Sequence, residues 1–68
     1  MTLVDRADLD ALLTPGEVAA LFDVTPKTIG RWDAAGILSA VRTAGGHRRF
    51  RAREVYDLYD FLEGVGAF

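Results

Sequence analysis

Seven of the chain's eight Lys and Arg residues fall between positions 25 and 53: Lys27, Arg31, Arg42, Arg48, Arg49, Arg51 and Arg53. That stretch holds one of the ten acids, Asp33, so it carries +6 while the remainder carries −8, and the net charge of −2 conceals two opposed fields. Clustered guanidinium groups do one kind of chemistry well, charge-assisted hydrogen bonding to phosphate or carboxylate oxygens. Other chemistries are poorly supplied. Cysteine is absent and His47 is the sole histidine, so neither a thiolate nucleophile nor a metal site is expected. No nucleophile stands beside a base, and 68 residues leave no room for a catalytic cleft. The expectation is a non-enzymatic chain, without cofactor or metal, whose cations meet a polyanion.

Length and composition narrow this further. The chain can form one domain at most, and a core of this size leaves roughly 3–5 kcal/mol of net stability. Half of the residues are hydrophobic, and they fall at periodic positions, as in a folded domain. No apolar run approaches the roughly 18 residues of a membrane span. Asp5, Asp8 and Asp10 are wrong for a secretory signal. A cytoplasmic protein with no membrane partner is the corresponding expectation.

The elements that must position the cations can be read from caps and periods. Leu9, Leu12 and Leu13 have helical spacing among acids, so residues 1–11 are expected to form a flexible or weakly helical lead-in. At Thr14-Pro15-Gly16-Glu17 the signal sharpens. Thr14 suits an N-cap, Pro15 the first helical position, Glu17 a capping box, and Leu13 with Val18 a hydrophobic staple. A helix from Pro15 to about Phe22 should bury Val18, Leu21 and Phe22. After only Asp23 and Val24 the pattern repeats, with Val24 and Ile29 as staple, Thr25 as N-cap and Pro26 at the first position. Two capped helices so closely joined predict a helix-turn-helix. The second ends at Gly36. Ile29 and Trp32 share its inner face; Lys27, Gly30, Arg31 and Ala34 make the opposite one, cationic at one end and free of bulk at the other.

Beyond Gly36 the period changes to two through Ile37 to Arg42, stops at Thr43-Ala44-Gly45-Gly46, and returns through His47 to Arg51 with Phe50 as core anchor. This predicts a hairpin whose Gly45 and Gly46 both supply positive φ. A third helix over about Ala52 to Glu63 should turn Val55, Leu58, Tyr59 and Leu62 inward and Asp57, Asp60 and Glu63 outward, although Arg51 makes a poor N-cap. Tyr56 and Phe61 lie off that core face, as caps of the core edge or as a protein contact. Residues 64–68 should fray. The fold class is thus mainly α with a small β-hairpin, a winged helix-turn-helix over residues 12–63.

The paired capped helices, the glycine-ended second helix and the run Arg42-Thr43-Ala44-Gly45-Gly46-His47-Arg48-Arg49-Phe50 resemble the winged helix-turn-helix domains of the MerR superfamily, over roughly residues 12–62. Within it the pattern is most similar to small BldC-like regulators, and also resembles excisionase-type proteins and the DNA-binding heads of some serine recombinases. The resemblance implies that the second helix enters the major groove of double-stranded DNA and that the hairpin wing lies along flanking backbone or minor groove. Thr25, Lys27, Thr28 and Arg31 then belong to the helix contact, with Arg31 as base reader. Arg48 matches the family's wing arginine, and Arg42, His47, Arg49 and Arg51 accompany it on phosphates or the minor groove. About six cations on phosphates would give a slope of log K against log salt near −5.

Each assignment has a plainer rival. Lys27 and Arg31 could be solvated helix charges, the wing arginines a solvated strand, Trp32 core with its indole N–H at a phosphate, and His47 a surface residue beside the turn. The functional expectation is a sequence-specific DNA-binding protein, a transcriptional regulator acting cooperatively on direct repeats through head-to-tail self-association. Neither effector domain nor small-molecule effector is expected. The alternative is an excisionase that bends DNA for an integrase; a protein-binding adaptor is a third reading. RNA polymerase or an integrase would be the protein partner in the first or second case.

Overall fold

The computed structural model describes residues 9 to 66. Its elements run β1 (Leu12–Leu13), α1 (Pro15–Phe22), α2 (Pro26–Ala34), β2 (Ala40–Arg42), β3 (Arg48–Arg51) and α3 (Ala52–Gly64). The first eight residues of the expected lead-in, and Ala67 and Phe68 of the expected tail, lie outside the described range.

Both cap readings hold. Thr14 Oγ1 accepts from the Glu17 N–H at 3.1 Å while Glu17 Oε1 accepts from the Thr14 N–H at 2.9 Å, closing the capping box. The second helix starts on Thr25, whose hydroxyl accepts from the Thr28 N–H at 3.3 Å. Between them Asp23 takes the left-handed conformation, φ 58° and ψ 44°, which turns the chain inside two residues. Aspartate tolerates that region better than most residues. The stop of α2 is a Schellman arrangement: Gly36 at φ 80° donates to Asp33 O, and the Ile37 N–H donates to Trp32 O at 2.9 Å.

The expected hairpin forms from β2 and β3, and β1 adds a third strand to it. Three antiparallel strands are ordered β1-β3-β2, with Leu12 opposite Arg51 and Leu13 opposite Phe50 on one side of β3, and Ala40, Val41 and Arg42 opposite Phe50, Arg49 and Arg48 on the other. Leu12 and Leu13 are therefore extended rather than helical. The strand after α2 begins at Ala40, not Ile37, because residues 36 to 38 are drawn back onto the helix end. Only Gly46 has positive φ in the turn, 78°. A Cβ at Gly45 would sit 3.0 Å from the ring of the exposed His47.

The core joins all of these elements. Leu13, Val18, Ala19, Phe22, Ile29, Leu38, Phe50, Ala52, Val55 and Tyr56 are buried in one cluster. Phe22 is central, edge-on to Trp32 at 5.1 Å and tilted on Tyr59 at 5.6 Å. Ala19 takes the interior place expected of Leu21, which is half-buried. Tyr56 likewise is 5% exposed, while Phe61 projects at 64%. Helix α3 starts without a side-chain cap on Arg51. Its first amides instead donate backward, Ala52 N–H to Ala11 O at 2.9 Å and Arg53 N–H to Leu9 O at 3.0 Å. The chain before β1 thus supplies the acceptors that a capping side chain would otherwise provide.

Candidate nucleic-acid interface

Helix α2 presents its residues at about 100° intervals. Lys27, Arg31 and Ala34 therefore project together, with Gly30 and then Asp33 around one flank, while Ile29 is fully buried on the other side. Lys27 and Arg31 are exposed, and their side chains make no hydrogen bond or ion pair among the described residues. The Thr25 and Thr28 hydroxyls lie 3.2 Å apart at the helix start, so both expected contact residues also serve the cap.

Strand register divides the wing cations into two sets. Facing residues of an antiparallel pair share a side of the sheet. Arg42 and Arg48 are opposite one another and share the side of Ala40 and Phe50, which turns toward the core. Arg49 and Arg51 project on the other side, with Val41 and Leu12. Strand alternation already implies that Arg48 and Arg49 face opposite ways; the register adds that Arg42 shares the side of Arg48. Arg49 Nη1 donates to Arg48 O at 2.7 Å, and Arg42 Nη1 to Gly46 O at 3.2 Å, so each also braces the hairpin. His47 is exposed beside the turn, and its carbonyl accepts from the Thr43 N–H at 2.9 Å.

Arg48 connects the wing to the helix. Its Nη1 lies 3.7 Å from Asp33 Oδ2, and 3.6 Å from where a Cβ at Gly30 would stand. The side chain thus passes over Gly30 on its way to Asp33. Asp33 also accepts from the Ala40 N–H through Oδ1 at 3.2 Å, fastening the start of β2 to the same helix. A second fastening comes from α3, where Glu54 Oε1 accepts from the Ser39 N–H. Arg48 thus reaches from the wing to α2, with Arg42 directly across the hairpin from it. Sequence reasoning counted Asp33 as the single acid of the basic stretch and Gly30 as part of the outer helix face but gave neither a role; their meeting with Arg48 depends on the register of β3.

The MerR family regulatory protein model matches residues 14–50, more than half of the chain and all of α1, α2 and the wing turn. The chain belongs to the MerR family. Similar curated proteins are the HTH-type transcriptional regulators MlrA of Salmonella typhimurium, strains LT2 and SL1344, and of Escherichia coli K12, each 46% identical over 46 residues. The alignment covers 66% of this chain and 19% of each relative, so the chain spans about a fifth of the length of the curated relatives it matches. The family match and the three-helix, three-strand architecture agree on a MerR-like winged helix-turn-helix. No helix among the described residues is long and apolar enough to cross a membrane, and no cluster of metal-binding side chains occurs among them.

Proposed function

We propose that this MerR-family chain is a sequence-specific double-stranded DNA-binding module of a transcription regulator, with α2 in the major groove and the wing against the adjoining backbone. The observation that supports this reading is Arg48 crossing Gly30 to reach Asp33, which brings a wing cation onto α2, the helix that also carries the exposed Lys27 and Arg31. Arg42 stands directly across from Arg48. Like charges so placed repel, and a phosphate between them relieves that repulsion. Arg31 reads a base edge and Lys27 and Thr28 support it, while Arg42 and Arg48 take phosphates. Arg49 and Arg51, on the other side of the sheet, stay off the phosphates, His47 is a peripheral contact beside the turn, and Thr25 contributes chiefly through the helix cap.

Cooperative binding to direct repeats follows from the charge partition. Residues outside the basic stretch carry −8, and Asp57, Asp60 and Glu63 are exposed on α3. A neighbouring copy laid head to tail on the duplex would bring such acids toward the next basic wing. Association of this kind offsets the small contact of a single module, about 600–1,000 Å².

The test is selection of bound duplexes from a random pool, followed by footprinting and stoichiometry on the winners. The expected result is an enriched motif that recurs in tandem, with a protected length that grows past one site as protein is raised. Arg31→Ala should flatten the motif at one or two positions, each worth about 1–3 kcal/mol of discrimination. No enriched motif would overturn sequence-specific binding, and protection that stops at one site would overturn the cooperative arrangement.

A further inference from the structure

We propose that Asp33 is a specificity-determining residue, holding Arg48 against α2 with its charge masked until a phosphate positioned by correct base contacts draws it away. The inference rests on the DNA-binding reading above and assigns a role within that surface. Asp33 is the single acid among the cations of residues 25–53, and its two oxygens do different work. Oδ1 receives the Ala40 N–H, an architectural bond; Oδ2 faces Arg48 Nη1 at 3.7 Å. The second contact is long, involves one guanidinium nitrogen, and lies between side chains 41% and 22% exposed. Pairs of that kind are weak and exchangeable. A duplex phosphate offers Arg48 a stronger bidentate partner.

Masking bears on sequence discrimination. Binding to arbitrary DNA is almost wholly a matter of cations neutralising phosphates. A carboxylate beside Arg48 removes one cation from that sum and adds repulsion toward the duplex. When base contacts fix the register, a phosphate close enough to Arg48 replaces the carboxylate, and the contact is gained selectively. Arg48 is then not the sequence-blind anchor that its place in the wing implies.

Asp33→Asn separates the two functions, because an amide oxygen can still receive the Ala40 N–H while the charge is gone. Affinity and its salt dependence are measured on a selected duplex and on a scrambled one, for the wild-type chain, Asp33→Asn, Arg48→Ala and the double variant. Asp33→Asn is expected to steepen the salt slope on scrambled DNA by about 0.9, which is a gain of up to about eightfold at 0.1 M salt. The selected duplex should gain less, so the specificity ratio falls. In the Arg48→Ala background the substitution should change the slope on neither duplex. An unchanged slope on scrambled DNA, or an equal gain without Arg48, overturns the proposal.

Should Asp33→Asn fail to melt cooperatively, the wild-type chain carries the test through the NMR resonances of the Arg48 guanidinium. These should move with the selected duplex and stay in place with the scrambled one; movement with both overturns the proposal. Failure of the wild-type chain to bind any duplex in a salt-dependent way would instead defeat the functional reading beneath it.

Discussion

Counting the cations by face, rather than by sequence, gives a salt dependence that can be checked directly. Lys27, Arg31, Arg42 and Arg48 lie on the α2 side of the molecule, whereas Arg49 and Arg51 project from the opposite face of the sheet. At about 0.9 per neutralised phosphate, four contacts give a slope near −3.6, against about −5 for the six that the sequence stretch implies. Between 50 and 200 mM salt the first loses about 150-fold in affinity and the second more than about 1,000-fold, a difference outside the error of a fluorescence anisotropy titration. The perturbation is a pair of double variants on the selected duplex. Arg42→Ala with Arg48→Ala should halve the slope to about −1.8, leaving about a 12-fold loss over the same range. Arg49→Ala with Arg51→Ala should leave it unchanged. Equal reductions in both variants would refute the two-faced division and place the duplex along the edge of the sheet.

Three further outcomes concern the scaffold. Gly30→Ala should raise stability by about 0.5–1 kcal/mol, because an alanine is worth that much in mid-helix and its Cβ meets Arg48 Nη1 at an ordinary 3.6 Å; a lowered melting temperature would show that Arg48 cannot share that flank. Thr14→Ala removes the hydroxyl that accepts from the Glu17 N–H while leaving the Thr14 backbone N–H its bond to Glu17, and should cost about 0.5–2 kcal/mol, read as a fall of several degrees in thermal unfolding. Tyr56→Ala should abolish cooperative unfolding, since about 3–5 kcal/mol rivals the whole stability of a domain this small. Phe61→Ala should stay within about 0.5 kcal/mol of the parent; circular dichroism melts of the two decide whether Tyr56 is the core residue.

What was legible in the sequence, and what was not, follows the range of the interactions. Both helix-turn-helix caps, the Gly36 stop and the Phe50 anchor are encoded within a few residues of one another, and each was readable. The misreadings involve partners distant in sequence. Leu12 and Leu13 have helical spacing, yet they pair with Arg51 and Phe50 nearly forty positions later, which fixes them as a strand. Arg51 looked inadequate as an N-cap for the same reason, since the amides it leaves open are taken by the carbonyls of Leu9 and Ala11. Tyr56 was assigned to the edge by a strict i, i+3, i+4, i+7 stripe. The buried face of α3 is set by Ala52, Val55 and Tyr56 at its start, where it packs on β3. The candidate contact residues could be proposed from sequence, but which of them share a face depends on strand register, and that required the sheet.

The link from helix to wing has a consequence for affinity. Between the end of α2 and the first residue of β2 lie five residues, held by Ile37 N–H on Trp32 O, by Leu38 buried in the core and by Ser39 N–H on Glu54, and Ala40, which opens β2, donates its N–H to Asp33. A wing tethered this closely cannot swing independently of α2. On the proposed reading the two parts would meet a duplex as one preformed surface, with the ordering of the wing largely complete before association. For a module with so small a contact, that saving would help a single copy hold a site until a neighbour binds beside it. The same rigidity explains why one carboxylate suffices to govern Arg48. With β2 and β3 fixed relative to α2, the guanidinium can move between Asp33 and a phosphate by side-chain rotation alone, and no rearrangement of the backbone stands between the masked and the engaged state.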